Sequence, residues 1–146
     1  MIHFNGTEAF TQSPAELFGP LSDAGWLATA VPEAEMIEAS PERAVWKLKP
    51  KLSFLTGSLE TTLAVTSREP DQSVTFKVNG RAVGSGSTVV ASLVLETEQP
   101  KGTIVRWTGE ITELNGLLKM VPKGLIQAAA QKIIIDVWAA IRAKLG

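Results

Sequence analysis

The sequence contains no cysteine and a single histidine, His3. The absence of cysteine excludes disulfide bridges, thiolate catalysis and cysteine-ligated metals. A histidine-based triad would have to use His3, which the alternation of residues 2–10 places on the exposed side of a first strand. No catalytic residue, metal site or cofactor is therefore predicted.

The sequence also has no excess of one charge, because 14 lysines and arginines face 15 aspartates and glutamates. Without a basic block the electrostatic footprint of a nucleic-acid-binding protein is missing. Residues 1–6 do not resemble a signal peptide, and no apolar run approaches the ~20 residues of a membrane span. The expectation is a cytoplasmic protein without a transmembrane segment, folded as one domain over residues 1–146.

A long helical period is present near the end of the chain, from Pro122 to Leu145. Its apolar residues share one side of a helix: Ile126, Ala129, Ala130, Ile133, Ile134, Val137, Trp138 and Ile141. Such a helix would be about 36 Å long, so it needs a partner of similar length. On its other side, Lys132 and Asp136 are spaced for a surface ion pair, with a head-group anchor at a cavity mouth as the alternative.

The start of the chain predicts one strand and two short helices. Alternation over Ile2–Phe10 is typical of a strand, and Ser13 to Glu16 has the spacing of a capping box with proline at the first helical position. Gly19-Pro20 should end this first helix early. Asp23 can cap a second one, which ends before Val31-Pro32.

Alternation of period two then predicts strands over residues 34–39, 43–49, 51–68, 73–81, 87–98 and 103–113. Pro50 should break or bulge the sheet, Val83–Gly86 is the preferred turn, and Asn79-Gly80 is an alternative hairpin. The third strand should place Trp46 and Leu48 inward, with Val45, Lys47 and Lys49 on its wetter side. The fold class is α+β: a curved antiparallel sheet of about seven strands holding the long helix on its concave face.

Several phrases in this order resemble the START/Bet v1-like (SRPBCC) superfamily with its helix-grip fold, and within it the family of the carbon monoxide dehydrogenase subunit CoxG. They are Ser13-Pro14-Ala15-Glu16 with Leu17-Phe18, Leu27 to Pro32, Phe54-Leu55-Thr56-Gly57, Gly84-Ser85-Gly86, Gly102-Thr103 with Val105 and Trp107, and Gly116 opening the last helix. The resemblance implies an apolar cavity between sheet and helix that holds a lipid or quinone. It also implies an accessory role to a molybdenum-containing dehydrogenase, and it leaves peripheral membrane contact open.

The residues expected to bind the ligand line or border the space between sheet and helix. They are Trp46, Leu48, Leu63, Phe76, Val89, Ala91, Leu93, Trp107, Ile111, Leu117, Met120, Val121, Ile126, Ala129, Ala130, Ile133 and Ile134. Among them, Leu117, Met120 and Val121 precede Pro122, which disturbs the helix start. This segment is interpreted as a movable apolar lip over the cavity.

Two other readings stay open. An enzyme of the same fold, such as a cyclase or hydratase, would need at least two polar residues inside the cavity, where the pattern shows mainly Thr61. Glu110 and Glu113 are three residues apart, which places them on opposite faces of a strand and argues against an acid–base pair. A protein-interaction subunit without ligand would instead expose an apolar patch. Gly80, Gly84 and Gly86 are predicted to serve turns or bulges.

Overall fold

A computed structural model describes residues 2–49, 57–98 and 100–145. Pro50, the predicted strand start over residues 51–56 and Gln99 lie outside these ranges. Within them the chain forms seven antiparallel strands: β1 (Ile2–Phe10), β2 (Glu35–Ala39), β3 (Arg43–Leu48), β4 (Leu59–Glu69), β5 (Ser73–Ala82), β6 (Ser85–Thr97) and β7 (Thr103–Gly116). They form one sheet in the order β1-β7-β6-β5-β4-β3-β2. The predicted fold class is confirmed.

The helices lie before and after this run of strands. They are α1 (Pro14–Leu21), α2 (Ala24–Ala28), a 3₁₀ turn over Leu117–Met120 and the long α3 (Lys123–Leu145). Gly116, which was expected to open the last helix, caps the 3₁₀ turn with φ 63°. Pro122 stands just before α3, and its carbonyl accepts the amides of Leu125 and Ile126.

The starts of α1 and α2 are fixed by the predicted caps. The Ser13 hydroxyl accepts from the Glu16 amide at 3.2 Å, and the Glu16 carboxylate accepts from the Ser13 amide at 3.0 Å. Asp23 accepts from the Trp26 amide in the same way at 3.0 Å. Each cap supplies an acceptor for an amide that has no partner inside the helix.

The prediction that Gly19-Pro20 interrupts the first helix is wrong. α1 continues through Pro20 to Leu21. Leu17 and Leu21 are four residues apart on one side of the helix, and neither exposes any surface to solvent. Burial of Leu21 therefore stabilises the last turn against the lost proline hydrogen bond.

The β5–β6 hairpin turns at Val83-Gly84, where Gly84 adopts φ 68°. The alternative prediction of a hairpin turn at Asn79-Gly80 is wrong, because both residues lie inside β5 and pair with β6. Gly86 is likewise inside β6, so of the three glycines expected in turns or bulges only Gly84 is in a turn. Val83 does not have a positive φ, so this two-residue turn is of neither primed type.

The sheet buries its inner face in two apolar clusters under α3. The larger lies beneath α1, α2 and the end of α3, and its buried residues include Phe10, Trp46, Phe76, Trp138 and Ile141. The smaller joins β1 and β7 to the start of α3 through Ile2, Phe4, Ile111 and Ile126. Trp107 and Ile134 are partly buried and pack against both clusters.

The outer face of the sheet is not uniformly exposed to solvent. Val45, expected on the wetter side of β3, is only 5% exposed. It pairs with Glu38 of β2 and Thr62 of β4, so a strand on each side covers its short side chain. Lys47 and Lys49 are exposed as predicted.

Candidate functional site

Most of the predicted ligand-binding residues lie on the inner face. The larger cluster contains Trp46, Leu63, Phe76 and Leu93, with Leu48 packed against it. The smaller cluster contains Ile111 and Ile126, with these partly buried neighbours: Val89, Trp107, Val121, Ala130 and Ile134. Ala91 and Ala129 are also partly buried. Strand register sets these positions, because residues two apart on β6 and β7 share one face.

Three predicted residues stand apart from the clusters. Leu117 is 56% exposed, Met120 is 81% exposed and Ile133 is 49% exposed. Of the residues interpreted as a lip, only Val121 packs against the smaller cluster. Ile133 is about 100° around the helix from Ile134, so it borders the inner side of α3.

Six apolar residues that pack against the two clusters keep part of their surface exposed. Val65, Val78 and Val89 point inward from three strands, yet each is only partly buried. Ala130, Ile134 and Val137 of α3 pack against the same clusters and are also only partly buried. We call these six residues the partly buried middle. A closely packed core would leave such apolar residues almost fully buried.

Trp107 borders the partly buried middle from the β1 side. Its ring lies against Gly6, with which it pairs in the sheet. The indole Nε1 is buried and has no hydrogen-bond acceptor within the described part of the chain. A buried donor without an acceptor is destabilising, so an oxygen acceptor at this N–H would stabilise the protein.

A short polar row crosses the inner face next to the partly buried middle. Thr61 of β4 pairs with Gly80 of β5, and Gly80 pairs with Ser87 of β6. Two residues further along the same face, Leu63, Val78 and Val89 pair in the same order. Thr61 is expected from the sequence to be an inner polar residue, whereas Ser87 was not singled out, because the strand register that brings it to Gly80 depends on the length of the turn.

Glu110 and Glu113 lie on the same face of β7, contrary to the prediction. Glu110 pairs with Val90 and Glu113 with Thr88, and the register shifts at this point. The extra residue, Thr112, is a β-bulge that turns Glu113 outward and Leu114 inward. Both carboxylates therefore face away from α3, outside the partly buried middle.

The remaining titratable candidates are also on the surface. His3 contacts the Glu110 carboxylate at 3.5 Å with 67% of its side chain exposed. Lys132 and Asp136 form the expected surface ion pair at 3.1 Å, with 78% and 49% of their side chains exposed. Within the ranges that the structure describes, no group of three or more histidine or acidic side chains could hold a metal ion.

A wide groove of about 750 Å³ lies on the outer face, away from α3. Its lining is mainly polar and includes Arg43, Glu60, Thr62, Asn79 and Arg81. These side chains come from the face of β3, β4 and β5 opposite to Trp46 and Leu63. None of the predicted ligand-binding residues lines this groove, although Gly80 and Ser87 border it, and it is chemically unlike an apolar cavity.

By length and composition α3 could cross a membrane, since its mean hydropathy reaches 1.3 over 18 residues. The helix contains no unbroken apolar run of that length, so the sequence pattern does not indicate a span. Only 11% of that stretch is buried, but Ile126, Trp138 and Ile141 pack against the sheet. The core helix of a soluble protein can be equally long and apolar, so the finding is weak evidence for a membrane span.

Comparison with solved structures shows the fold. A conserved protein from Geobacillus kaustophilus superposes with a TM-score of 0.83 at 16% identity, covering 98% of this chain and 94% of its own. A START superfamily protein from Mycobacterium smegmatis gives 0.67 at 12%, covering 97% and 95%. Major latex-like protein 151 from Panax ginseng gives 0.62 at 15%, covering 98% and 96%. No curated protein sequence matches the chain.

The sequence also matches a family model. The model is that of the carbon monoxide dehydrogenase subunit CoxG, and the match covers residues 6–146. It includes the capped α1, the sheet after the first residues of β1, and the whole of α3. The chain therefore belongs to the CoxG family of carbon monoxide dehydrogenase subunits, on the START/Bet v1-like fold.

Proposed function

We propose that this chain, as a single ligand-binding domain, binds and carries a hydrophobic small molecule of the lipid or quinone type. The observation that carries the proposal is the partly buried middle between sheet and α3. Apolar side chains of the sheet and of α3 pack against the same clusters there, and each keeps part of its surface exposed. A ligand that removed this surface from water would gain about 25 cal/mol for each Å² buried.

The proposed binding residues are the inner-face set and the helix residues opposite it. Large side chains fill the end of the inner face near Trp138, where the ring centroids of Phe10 and Trp138 are 6.2 Å apart. Ala129 and Ala130 are small and partly buried, which supports room for a ligand at the other end of α3. The exposed Leu117 and Met120 would form the lip at the entrance of the site. Ile133 would border the entrance from α3.

A non-enzymatic role agrees with the chemistry of this face. Of the described residues, the buried polar ones are Ser22, Thr61 and Thr103. None of these is an acid or a base near neutral pH, so none could transfer a proton as a cyclase or hydratase requires. The family name supports the finer proposal that the loaded protein serves a molybdenum-containing dehydrogenase as an accessory, in the cytoplasm.

A protein-interaction subunit without ligand is the second candidate, and the outer side of α3 favours it. Leu125 is 54% exposed and Ile135 is 60% exposed, beside Ala128 and Ala139, which are also exposed. Exposed apolar residues on one helix side are typical of a docking surface. This side of α3 faces away from the sheet, so the interaction would not need the inner face.

The test replaces Ala130 by tryptophan and measures uptake of an uncharged fluorescent probe, Nile red. The larger side chain would enter the partly buried middle, so probe binding should fall at least tenfold. Ala139→Trp is the matched control, because the same change on the exposed side of α3 should leave binding unaltered. Native mass spectrometry of detergent-free protein should show a co-purified apolar molecule in the wild type.

Equal binding by wild type and a folded Ala130→Trp variant would contradict the ligand site. A wild-type protein that neither carries a molecule nor takes up Nile red would favour the interaction subunit. Pro122→Ala examines the lip: on- and off-rates should change more than the free energy of unfolding. A pure loss of stability would contradict the lip.

A further inference from the structure

One part of the inner face differs in chemistry from the rest. Thr61 is 9% exposed, and its side chain makes no hydrogen bond within the described ranges. The Ser87 hydroxyl also has none there, and Ser87 is partly buried. Neither hydroxyl oxygen is fully enclosed, so both can form a hydrogen bond to a molecule that enters this part of the inner face.

Gly80 gives both hydroxyls access to one space. A Cβ added to Gly80 would lie 2.9 Å from the Ser87 Oγ and 3.6 Å from Leu59 Cδ1. The Ser87 hydroxyl therefore leans over the glycine on the inner face. Thr61 flanks Gly80 from the other strand, about 10 Å from Ser87 between Cα positions. The space above Gly80 is the place where one ligand oxygen could meet either hydroxyl.

The charge around this row limits what it can hold. Within the described ranges, the buried residues include no lysine, arginine or histidine. Arg43 and Arg81 line the outer groove, which Gly80 and Ser87 also border. Both arginines lie on the face of the sheet opposite to Thr61, so neither pairs with a charge held on the inner face. A buried carboxylate or phosphate would have no opposite charge here, and burying an unpaired charge is strongly unfavourable.

We propose that Thr61, Gly80 and Ser87 bind the polar end of the ligand, and that this end is an uncharged carbonyl or hydroxyl oxygen. Each hydroxyl can donate a hydrogen bond to a carbonyl oxygen or accept one from an alcohol. A site made of lysine or arginine side chains could only donate. The rest of the ligand lies along Leu63, Val78 and Val89. The inference rests on the proposed function and adds to it the chemical class of the head group.

The test compares three probes of equal chain length: 2-tridecanone, tridecane and tridecanoic acid, each displacing Nile red from the whole protein at about pH 8, where the acid is ionised. Wild type should bind the ketone most tightly and the acid least. Thr61→Val keeps the side-chain shape and removes the hydroxyl, so ketone affinity should fall about five- to tenfold, as for one lost hydrogen bond. Ser87→Ala should have the same effect.

Controls separate a lost contact from a disturbed fold. Tridecane affinity should be the same in wild type, Thr61→Val and Ser87→Ala. Thr62→Val makes the same change one residue away on the outer face, and it should leave all three affinities unaltered. Equal binding of ketone and hydrocarbon by wild type, or tightest binding of the acid, would overturn the head-group inference while leaving an apolar ligand site. Failure of all three probes and of Nile red to bind would overturn the proposed function as well.

Discussion

The indole of Trp107 occupies the space in which a side chain at Gly6 would begin. A Cβ at position 6 would lie 2.6 Å from Cζ2 and 3.0 Å from Nε1 of Trp107. The two residues pair between β1 and β7, at the junction of the two apolar clusters. Because Gly6 of β1 has no side chain, the indole of Trp107 on β7 can occupy this space.

Gly6→Ala should lower the free energy of unfolding by about 1–3 kcal/mol, because the methyl group must push the indole aside. Urea unfolding followed by tryptophan fluorescence measures this, and the native emission should shift as well. Gly109→Ala is the control, since nothing lies within 4 Å of a Cβ there. Equal losses in both variants would mean that general strand effects, not the contact with Trp107, set the cost.

Arg68 fastens the α1–α2 region to the sheet. Its guanidinium donates to the Ser22 carbonyl at 2.9 Å and the Pro41 carbonyl at 2.8 Å, and it pairs with Glu42 at 2.8 Å. Arg68→Lys cannot keep this fork of donors, so it should cost about 1–3 kcal/mol of stability.

Chemical denaturation would measure that loss against Arg106→Lys, whose original side chain pairs, among the described residues, with Glu96 alone, at the surface. The control should cost less than about 1 kcal/mol, as usual for a surface ion pair. If the two variants lost the same stability, the carbonyl contacts of Arg68 would not be the reason for its effect.

Ile141 connects the end of α3 to the larger cluster and is 3% exposed. Ile141→Ala should lower the free energy of unfolding by about 2–5 kcal/mol through lost burial and the cavity that remains. Ile135→Ala removes the same atoms from a residue that is 60% exposed, and it should change stability by less than about 0.5 kcal/mol. A large loss in Ile135→Ala would show instead that this side of α3 is covered in solution.

The capping box of α1 should make a small part of stability pH-dependent. The backbone amide of Ser13, and then its hydroxyl, hold the pKa of Glu16 below the ordinary 4.5. Because the folded-state pKa is the lower one, the stabilisation is present above the unfolded pKa and is lost as pH falls through the folded one. The stability difference between wild type and Glu16→Gln should therefore shrink on acidification, as urea unfolding from about pH 7 to pH 3 would show.

Ser13→Ala gives an independent measurement of the same contact. Without the hydroxyl, the Glu16 pKa measured by NMR titration should rise toward 4.5, and the lost cap should cost about 1 kcal/mol. An unchanged Glu16 pKa in this variant would contradict the contribution of the Ser13 hydroxyl.

The sequence was sufficient for the parts of the fold that local chemistry controls. Ser13 and Asp23 mark helix starts because their side chains accept nearby amides, and both helices begin where they indicate. Alternation identified the strands, since the side-chain period of two directly reflects burial on one face. The twist of a long antiparallel sheet predicted its curvature, and the apolar side of α3 predicted the position of that helix on the concave face.

Contacts that depend on register or distance could not be predicted in this way. Ser87 meets Gly80 only because the turn has two residues, and no local signal distinguishes that turn from a longer one. Arg68 reaches Ser22 from 46 residues away, and its sequence neighbours give no sign of it. The face of Glu113 was predicted wrongly for a related reason, because a threonine gives no warning of a bulge.

That irregularity at Thr112 has a consequence for how the chain can vary. The bulge lets Ile111 and Glu113 point to opposite sides although they are two residues apart. Deletion of Thr112 would place Glu113 directly after Ile111, so regular alternation would still direct Glu113 to solvent and Leu114 toward α3. The deletion should therefore preserve the apolar lining at this end of the sheet and remove only the local bend of β7.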